Sequence, residues 1–298
     1  MRLNNSFKWY KPFRFILIAL AIPGVIYLLA FFLLGGVLTG KTDITSGFSP
    51  GAPLIFAHRG VATTFPENSL ESVAEAVKHG FAAVEFDLRK TANGDFILFH
   101  DADCQRLLGK QQKINEITTG ELRNFPLLMD GKPTVYYVPL LEEVLDRYGD
   151  TLVFYFDMKL NSFRDADQIV QIIRRHGIEK SVIVASADAM FIFYLGYRYG
   201  DIITALEGFN AGKEWTYNLI PRKLKPDFLS GFIGNVTDSH VQWLRKRGLL
   251  SRRIVYGIDS TNFDHARESG LENVILDYNP ASRFFKGKEL FRQSLSEN

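Results

Sequence analysis

Two histidines of this chain occupy positions suited to acid–base chemistry. His58 ends the apolar run 54–57 and precedes Arg59, and His100 ends the apolar run 96–99. An imidazole titrates near neutral pH, so each ring can accept or donate a proton. The other four histidines lie in or beside charged helical stretches. His58 and His100 are therefore the candidate catalytic pair.

Acidic side chains interrupt two further apolar runs. Glu85 and Asp87 lie two residues apart in one run, and Asp157 precedes Lys159 by two residues in another. Side chains at this spacing share one face of a strand, about 7 Å apart. The three carboxylates can converge on one divalent cation, and oxygen ligands suit Ca²⁺ or Mg²⁺ better than zinc. In the alternative interpretation, buried Arg or Lys side chains satisfy the carboxylates.

A predicted hairpin brings one carboxylate to one histidine. The dipeptide Asn93-Gly94 lies between two extended segments and is typical of a two-residue hairpin turn. With such a turn, Asp87 lies opposite His100 on the neighbouring strand. The hairpin therefore predicts that the acidic cluster and His100 share a face.

These residue types together meet the needs of phosphodiester cleavage. A metal ion, Arg59 and Lys159 would stabilise negative charge on the non-bridging oxygens. One histidine would accept a proton from the attacking oxygen and the other would protonate the leaving oxygen. Lys159 can also be a salt-bridge partner of Asp157, and the two roles are compatible.

Apolar runs and amphipathic stretches alternate along the chain after residue 53. The predicted strands cover residues 54–57, 81–86, 152–156, 181–185, 228–233, 253–258 and 273–276, and the predicted helices cover 140–148, 165–176, 189–199, 238–247 and 263–269. A further helix is predicted to begin at a capping box of Asn68 and Glu71. This alternation over roughly 250 residues favours an α/β fold, a (β/α)₈ TIM barrel, over a doubly wound sheet.

The N-terminal part has a different composition. Residues 15–38 carry no charge and are long enough to cross a hydrocarbon core of about 30 Å, which predicts one transmembrane helix. The alternative is a cleaved signal peptide, whose apolar part is usually shorter. Four basic residues precede the segment and only Lys41 follows closely, so residues 1–14 are predicted to be cytoplasmic and the folded domain, residues 54–298, to lie outside the cytoplasm. Residues 39–53, rich in Gly, Ser, Thr and Pro, are predicted to be a linker.

Composition argues against several other classes of protein. The formal net charge is +2 and the basic residues are scattered, so nucleic-acid binding is not predicted. Cys104 is the single cysteine, so no intramolecular disulfide can form, and we expect it to be a small buried residue. No protein partner is predicted.

The order of the motifs resembles that of the glycerophosphodiester phosphodiesterase family. The matching segments are AHRG at 57–60, PENS at 66–69, EFD at 85–87, NGDFILFHD at 93–101 and VPLLEEVL at 138–145, with looser matches FDMK at 156–159, YGID at 256–259 and LDYNP at 276–280. The resemblance implies a TIM barrel, a divalent metal held by three acidic residues, and release of sn-glycerol 3-phosphate from glycerophosphodiesters. It also implies that 103–137 is the family's insertion, which could cover the mouth of the site.

The resemblance assigns roles to individual residues. His58 and His100 match the catalytic pair, Arg59 matches the phosphate contact, and Glu85 and Asp87 match two metal ligands. The third ligand is usually a glutamate in an EIK-like motif.

This chain departs from the family pattern at that third ligand and elsewhere. Asp157, one methylene shorter, occupies the ligand position, and YGID replaces a tryptophan-containing motif, so the aromatic wall beside the substrate's alcohol is not predicted. Two alternatives to glycerophosphodiester hydrolysis remain open. One is hydrolysis of lysophospholipids, and the other is a non-catalytic barrel that binds phosphorylated ligands at a membrane.

Overall fold

The computed structural model describes residues 10–35 and 53–281, and its central feature is a closed barrel. The strands are, in chain order, β1 (Ile55–His58), β2 (Ala83–Lys90), β3 (Phe96–Leu98), β4 (Leu128–Met129), β5 (Lys132–Pro133), β6 (Val153–Met158), β7 (Val182–Ser186), β8 (Ile203–Leu206), β9 (Phe228–Phe232), β10 (Arg253–Ile258) and β11 (Asn273–Leu276). Eight of them are parallel, in the order β1, β2, β6, β7, β8, β9, β10, β11, and β11 pairs with β1 again. The predicted eight-stranded α/β barrel is confirmed.

Helices follow the strands and cover the outside of the barrel. They are α1 (Tyr10–Leu33), α2 (Leu70–Lys78), α3 (Gln105–Leu108), α4 (Thr119–Leu122), α5 (Leu141–Tyr148), α6 (Phe163–His176), α7 (Ala189–Arg198), α8 (Glu214–Tyr217), α9 (Asp238–Lys246) and α10 (Phe263–Glu268). Helix α6 shows why the boundaries fall where they do. Ser162 accepts a hydrogen bond from the backbone of Asp165 at its start, and Gly177 takes the left-handed conformation at its end.

Apolar residues fill three separate clusters. The barrel interior combines large side chains such as Phe56, Tyr155 and Phe228 with small ones such as Ala185 and Ala205. A larger cluster lies between the strands and the surrounding helices. A third cluster belongs to the insertion, and the fully buried Cys104 is part of it, as the sequence predicts. The interior of the barrel is therefore packed and closed below its mouth.

The predicted register of the β2–β3 hairpin is wrong by one residue. Leu88 pairs with Leu98, and Thr91 donates its backbone N–H to the carbonyl of Asp95. The loop therefore has three residues with a left-handed Gly94, instead of two. A shift of one residue moves side chains to the other face of a strand. His100 is thus not placed by strand pairing, because the strand ends at Leu98.

One barrel strand, β8, has no counterpart among the predicted strands. Its sequence, ITAL, is short and contains only two large apolar residues, so its periodicity is weak. The structure shows it as a buried strand between β7 and β9.

Helix α1 covers most of the segment that was predicted to span a membrane. Its side chains are described from residue 21 onward. Among the described residues, no helix is long and apolar enough to cross a bilayer. The predicted transmembrane helix at 15–38 is therefore not supported. The predicted linker, apart from its last residue, and residues 1–9 of the predicted cytoplasmic segment lie outside the described residues.

Candidate active site

A cavity of about 420 Å³ opens at the C-terminal ends of the barrel strands. All seven residues singled out in the sequence line this cavity: His58, Arg59, Glu85, Asp87, His100, Asp157 and Lys159. The barrel brings six of them together because β1, β2 and β6 are neighbours, and His58 pairs in register with Glu85 and Asp87 with Asp157. His100 follows the short strand β3, which pairs with β2. This is the end of a TIM barrel where active sites form.

Three buried carboxylates form the floor of the cavity. Asp87 on β2 pairs in register with Asp157 on β6, and Glu85 lies two residues before Asp87. One oxygen from each carboxylate lies within 4.8 Å of the other two. This cluster can hold a metal ion, and its all-oxygen ligand set fits a hard divalent cation.

The electrostatics of the cluster also favour a cation. Burial, together with the neighbouring Asp87, raises the pKa of Glu85 to about 8. Burial also raises the pKa of Asp157, since Lys159 offsets it only in part. Like charges this close in a buried site repel each other, and a divalent ion relieves that repulsion.

Two cationic side chains contact the same carboxylates. The Lys159 ammonium lies 3.0 Å from Asp87 and also contacts Asp157, and the Arg59 Nε atom lies 3.1 Å from Asp87. Burial alone would lower the pKa of Lys159, but Asp157 and Asp87 outweigh it and raise that pKa. Arg59 and Lys159 are therefore positively charged groups on the wall of the cavity, where an anionic substrate can reach them.

His58 is held between two acids. Its Nδ1 contacts Asp277, which follows β11, and its Nε2 lies 3.8 Å from the Glu85 carboxylate. Burial alone would lower the pKa of His58, but Glu85 and the hydrogen bond to Asp277 raise it overall. Asp277 lies inside the LDYNP segment, and its position at a strand end was the only sequence signal for it.

His100 is oriented by a neighbouring ion network. Its Nδ1 lies 2.8 Å from Asp101, and the other oxygen of Asp101 accepts a hydrogen bond of 2.7 Å from Arg106 Nε. Arg106 also donates two hydrogen bonds to Glu67, at 2.7 and 2.8 Å, and Glu67 accepts one of 2.9 Å from Arg59. A continuous chain of charges therefore links His100 to Arg59.

Asn68 belongs to the site, although the sequence favoured a capping role for it. The N-cap of α2 is Ser69, whose hydroxyl accepts from Ser72, so the predicted capping box of Asn68 and Glu71 is wrong. Asn68 has a left-handed backbone with φ of 57°. Its amide donates to Asp87 Oδ2 at 2.9 Å and accepts from the Asp87 backbone at 3.1 Å. It therefore fixes the orientation of Asp87.

A fourth acid faces the cavity from the opposite wall. Glu207 directly follows β8, and its Oε1 accepts a hydrogen bond of 2.9 Å from the Tyr155 hydroxyl. Burial, together with Asp157, raises the pKa of Glu207 to about 8. Phe232 and Tyr256 line the same wall, with ring centroids 5.9 Å apart. The sequence did not indicate Glu207, because β8 was not recognised as a strand.

Comparison with known proteins identifies the family of the chain. The model of the glycerophosphoryl diester phosphodiesterase family matches residues 58–277. Glycerophosphodiester phosphodiesterase 1 of Bos taurus is 27% identical over 156 residues, which are 50% of this chain and 47% of that protein. Glycerophosphodiester phosphodiesterase of Bacillus subtilis is 27% identical over 146 residues, 45% of this chain and 50% of that protein. The chain thus spans about half the length of these curated relatives.

Solved structures show the same fold. An Oleispira antarctica phosphodiesterase, in complex with the product sn-glycerol-3-phosphate, superposes with a TM-score of 0.68 at 17% identity and covers 82% of this chain and 97% of that one. Glycerophosphodiester phosphodiesterase of Thermotoga maritima superposes with a TM-score of 0.62 at 24% identity. The match covers 76% of this chain and 94% of that one. The family model spans most of the chain and contains every residue of the cavity floor, so this protein belongs to the glycerophosphoryl diester phosphodiesterase family.

Proposed function

We propose that this protein is an enzyme that hydrolyses glycerophosphodiesters to sn-glycerol 3-phosphate and an alcohol. One observation carries the proposal: two histidines, two cations and a buried cluster of three carboxylates line a single cavity at the catalytic end of the barrel. The names of the curated relatives and the product in the Oleispira antarctica structure support the same reaction.

Different residues of the cavity have different proposed roles in the reaction. Arg59 and Lys159 bind the non-bridging oxygens of the phosphodiester and stabilise the charge that develops on them. Of His58 and His100, one accepts the proton of the attacking oxygen and the other protonates the leaving alcohol. Asp277 and Asp101 each contact the Nδ1 atom of one histidine, which leaves the Nε2 atoms for proton transfer.

The carboxylate cluster is the proposed metal site. Glu85, Asp87 and Asp157 would hold one divalent ion, for which we propose Mg²⁺ or Ca²⁺ because all three ligands are hard oxygens. When bound, such an ion supplies positive charge to the phosphate oxygens. Asn68 keeps Asp87 oriented toward this position.

The shape of the cavity favours small substrates over the two alternatives. Its volume of about 420 Å³ and its predominantly ionic lining suit a deacylated headgroup better than a lysophospholipid with its acyl chain. The presence of both histidines and all three carboxylates favours catalysis over a barrel that only binds phosphorylated ligands.

We propose that the barrel lies on the outer side of a membrane. The basic residues before residue 15 and the apolar composition of 15–38 favour a barrel on the outer side of a membrane. Protease treatment of intact and permeabilised cells tests this. Digestion of the barrel in intact cells would support the proposal, and protection until permeabilisation would contradict it.

The reaction is tested by release of glycerol 3-phosphate from the purified full chain. Substrates with a cationic and with a neutral alcohol are incubated with Mg²⁺, Ca²⁺ or a chelator. We expect metal-dependent release, and a loss of at least about 100-fold in His58→Ala and in His100→Ala. His265→Ala, which removes an exposed histidine of α10, is the matched control and should retain activity. Absence of release with either metal and either substrate would reject the proposed reaction.

A further inference from the structure

The mouth of the barrel has two chemically different halves. The histidines, cations and metal-binding carboxylates are carried on or directly after strands β1, β2, β3 and β6. On the consecutive strands β8, β9 and β10, Glu207 directly follows β8, Phe232 ends β9 and Tyr256 lies two residues before the end of β10. In the closed strand order, β8 is diametrically opposite β1. A phosphodiester held at the first half would therefore direct one of its two ester substituents toward the second half.

Glu207 is incompletely satisfied within the protein. Its Oε1 accepts the hydrogen bond from Tyr155, and no hydrogen bond to Oε2 is present among the described residues. Its nearest cation in electrostatic terms is Lys159, which already contacts Asp87 and Asp157. A half-buried carboxylate that lines a cavity is stabilised there by a further cation or by hydrogen-bond donors.

The net charge of the cavity also indicates what Glu207 could bind. With a divalent ion bound, the ion, Arg59 and Lys159 would exceed the three carboxylates by one positive charge. The single negative charge of a phosphodiester would neutralise it. Glu207, whose pKa burial and Asp157 raise to about 8, adds one negative charge when it ionises, and nothing in this set neutralises that charge. A substrate that carries a positive charge on its alcohol would restore neutrality.

Two aromatic rings line the same cavity as Glu207. The Phe232 ring fits a slot between two glycines, since a Cβ atom added at Gly257 would lie 2.3 Å from the ring and one at Gly234 would lie 2.5 Å from it. Tyr256 is the neighbouring ring, and burial together with the nearby Glu207 raises the pKa of Tyr256. Aromatic faces next to a carboxylate are a favourable environment for an alkylated ammonium group.

We propose that Glu207, Phe232 and Tyr256 form a subsite that selects glycerophosphodiesters whose alcohol carries an ammonium group. The proposal rests on the hydrolysis proposed above and specifies its substrate class. Neutral alcohols would still be hydrolysed, since the phosphate contacts are the same, but with lower kcat/KM.

The first experiment compares two substrates that differ only in charge. One is glycerophosphocholine, and the other is its isostere in which 3,3-dimethylbutanol replaces choline. We expect the full chain to prefer the cationic substrate by about 10-fold in kcat/KM, and Glu207→Gln to reduce that ratio to about 2 or less. The Gln side chain keeps an acceptor for Tyr155, so turnover of the neutral isostere should remain within about 3-fold of the unsubstituted enzyme.

Two further variants separate the contribution of the Phe232 ring from a general electrostatic field effect. Phe232→Leu removes the ring and should reduce the preference by about 3-fold, within the range of a cation–π contact. Asp259→Asn is the matched control, because Asp259 follows β10 at the same end of the barrel but does not line the cavity. It should leave the preference unchanged. An equal preference loss in Asp259→Asn would indicate a general field effect and overturn the subsite.

The second experiment decides the proposal independently of turnover. Choline and 3,3-dimethylbutanol are titrated into the full chain and into Glu207→Gln by calorimetry. We expect choline to bind at least about 5-fold more tightly than the neutral alcohol, and this difference to disappear in the variant. Equal binding of the two alcohols, or a similar loss of turnover for both substrates in Glu207→Gln, would overturn the subsite while leaving the proposed hydrolysis intact.

Discussion

Asp277 shows how one residue outside the predicted set can orient a proposed catalytic group. It contacts His58 Nδ1, and it contributes to the raised pKa of that histidine. A carboxylate in this position fixes the tautomer and the orientation of the ring. The ring of His58 is therefore held in place by a residue almost 220 positions away in the chain, in the orientation that the proposed proton transfer requires.

Asp277→Asn should slow the reaction and shift its pH profile. We expect kcat/KM to fall by about 10-fold to 100-fold, part of the 10²–10⁴-fold that positioned acid–base catalysis contributes. Removal of the negative charge lowers the pKa of His58, so the limb of the profile that reports His58 should move to lower pH. Asp264→Asn, which removes an exposed carboxylate from α10, is the control. A shift toward higher pH would contradict the assigned contact.

The three carboxylates that the sequence identified share one property. Glu85, Asp87 and Asp157 interrupt apolar runs, and strand alternation alone places polar groups of that kind on a common face. Asn68 and Glu207 carry no such signal. Asn68 lies in a loop where a capping role is equally plausible, and Glu207 follows a strand too short to recognise. Their roles depend on tertiary contacts that a local pattern does not encode.

At the scale of elements, segment 103–137 is joined to the proposed catalytic residues through Arg106 in α3. Arg106 contacts Asp101, the partner of His100, and Glu67, the partner of Arg59. The Arg106 side chain is half-exposed, so solvent weakens its ion pairs with Asp101 and Glu67. Its importance lies in geometry, since one guanidinium contacts two carboxylates, one beside His100 and one beside Arg59.

Arg106→Gln should therefore lower activity with little effect on folding. We expect kcat/KM to fall roughly 10-fold, equivalent to about 1.4 kcal/mol of transition-state stabilisation, and Arg106→Lys to restore part of it. Arg123→Gln is the matched control, because Arg123 also lies in the insertion but contacts Glu143 outside the cavity. Equal losses in Arg106→Gln and Arg123→Gln would show that the insertion acts only as a structural unit.

The turns that end two strands make different demands on their glycines. Gly60 and Gly94 both have a positive φ, at 75° and 88°. A Cβ atom at Gly60 would lie 2.5 Å from the backbone of Ser72 at the start of α2, whereas at Gly94 it would meet open space. The close approach at Gly60 lets Ser72 donate its hydroxyl to the Arg59 carbonyl beside the site.

Alanine substitutions should separate the cost of a positive φ from the cost of a steric clash. Gly94→Ala carries only the backbone cost of about 1 kcal/mol, which lowers Tm by about 2–4 °C in a protein of this size. Gly60→Ala adds a clash with the α2 backbone, so its loss of Tm should be at least about twice as large. Thermal unfolding monitored by circular dichroism checks the order. A Gly60→Ala protein as stable as Gly94→Ala would contradict the packing of α2 against this turn.

At the scale of the whole molecule, the alternation of apolar runs and amphipathic helices favoured the barrel over a doubly wound sheet, and the family resemblance implied it. The strands at 253–258 and 273–276 have the predicted bounds, because continuous runs buried on both faces are distinctive. The hairpin register was not predictable, since the choice between two-residue and three-residue loops depends on Gly94 and on the contacts of Thr91 with Asp95 and Thr119. The membrane-spanning prediction rested on composition alone.

Buried carboxyl groups should make the stability of the metal-free protein depend on pH. The pKa of Glu85 is about 8, against an ordinary value of 4.5, and that of Glu207 is raised equally. Between these two pH values the folded chain binds protons that the unfolded chain has released, so the free energy of unfolding falls as pH rises. A divalent cation held by the ionised cluster, as proposed above, would reverse this loss, because it would stabilise only the folded state.

We therefore expect the Tm of the metal-free full chain to fall between about pH 5 and pH 8, and the Tm gain with Mg²⁺ or Ca²⁺ to grow over the same interval. At pH 8 the gain should be on the order of 5 °C. Asp157→Asn should abolish most of that gain. Glu207→Gln should flatten the metal-free decline but keep the gain, since Glu207 lies outside the triad. A metal-free Tm that rises from pH 5 to pH 8 would show that the buried carboxyl groups are not protonated in the folded protein.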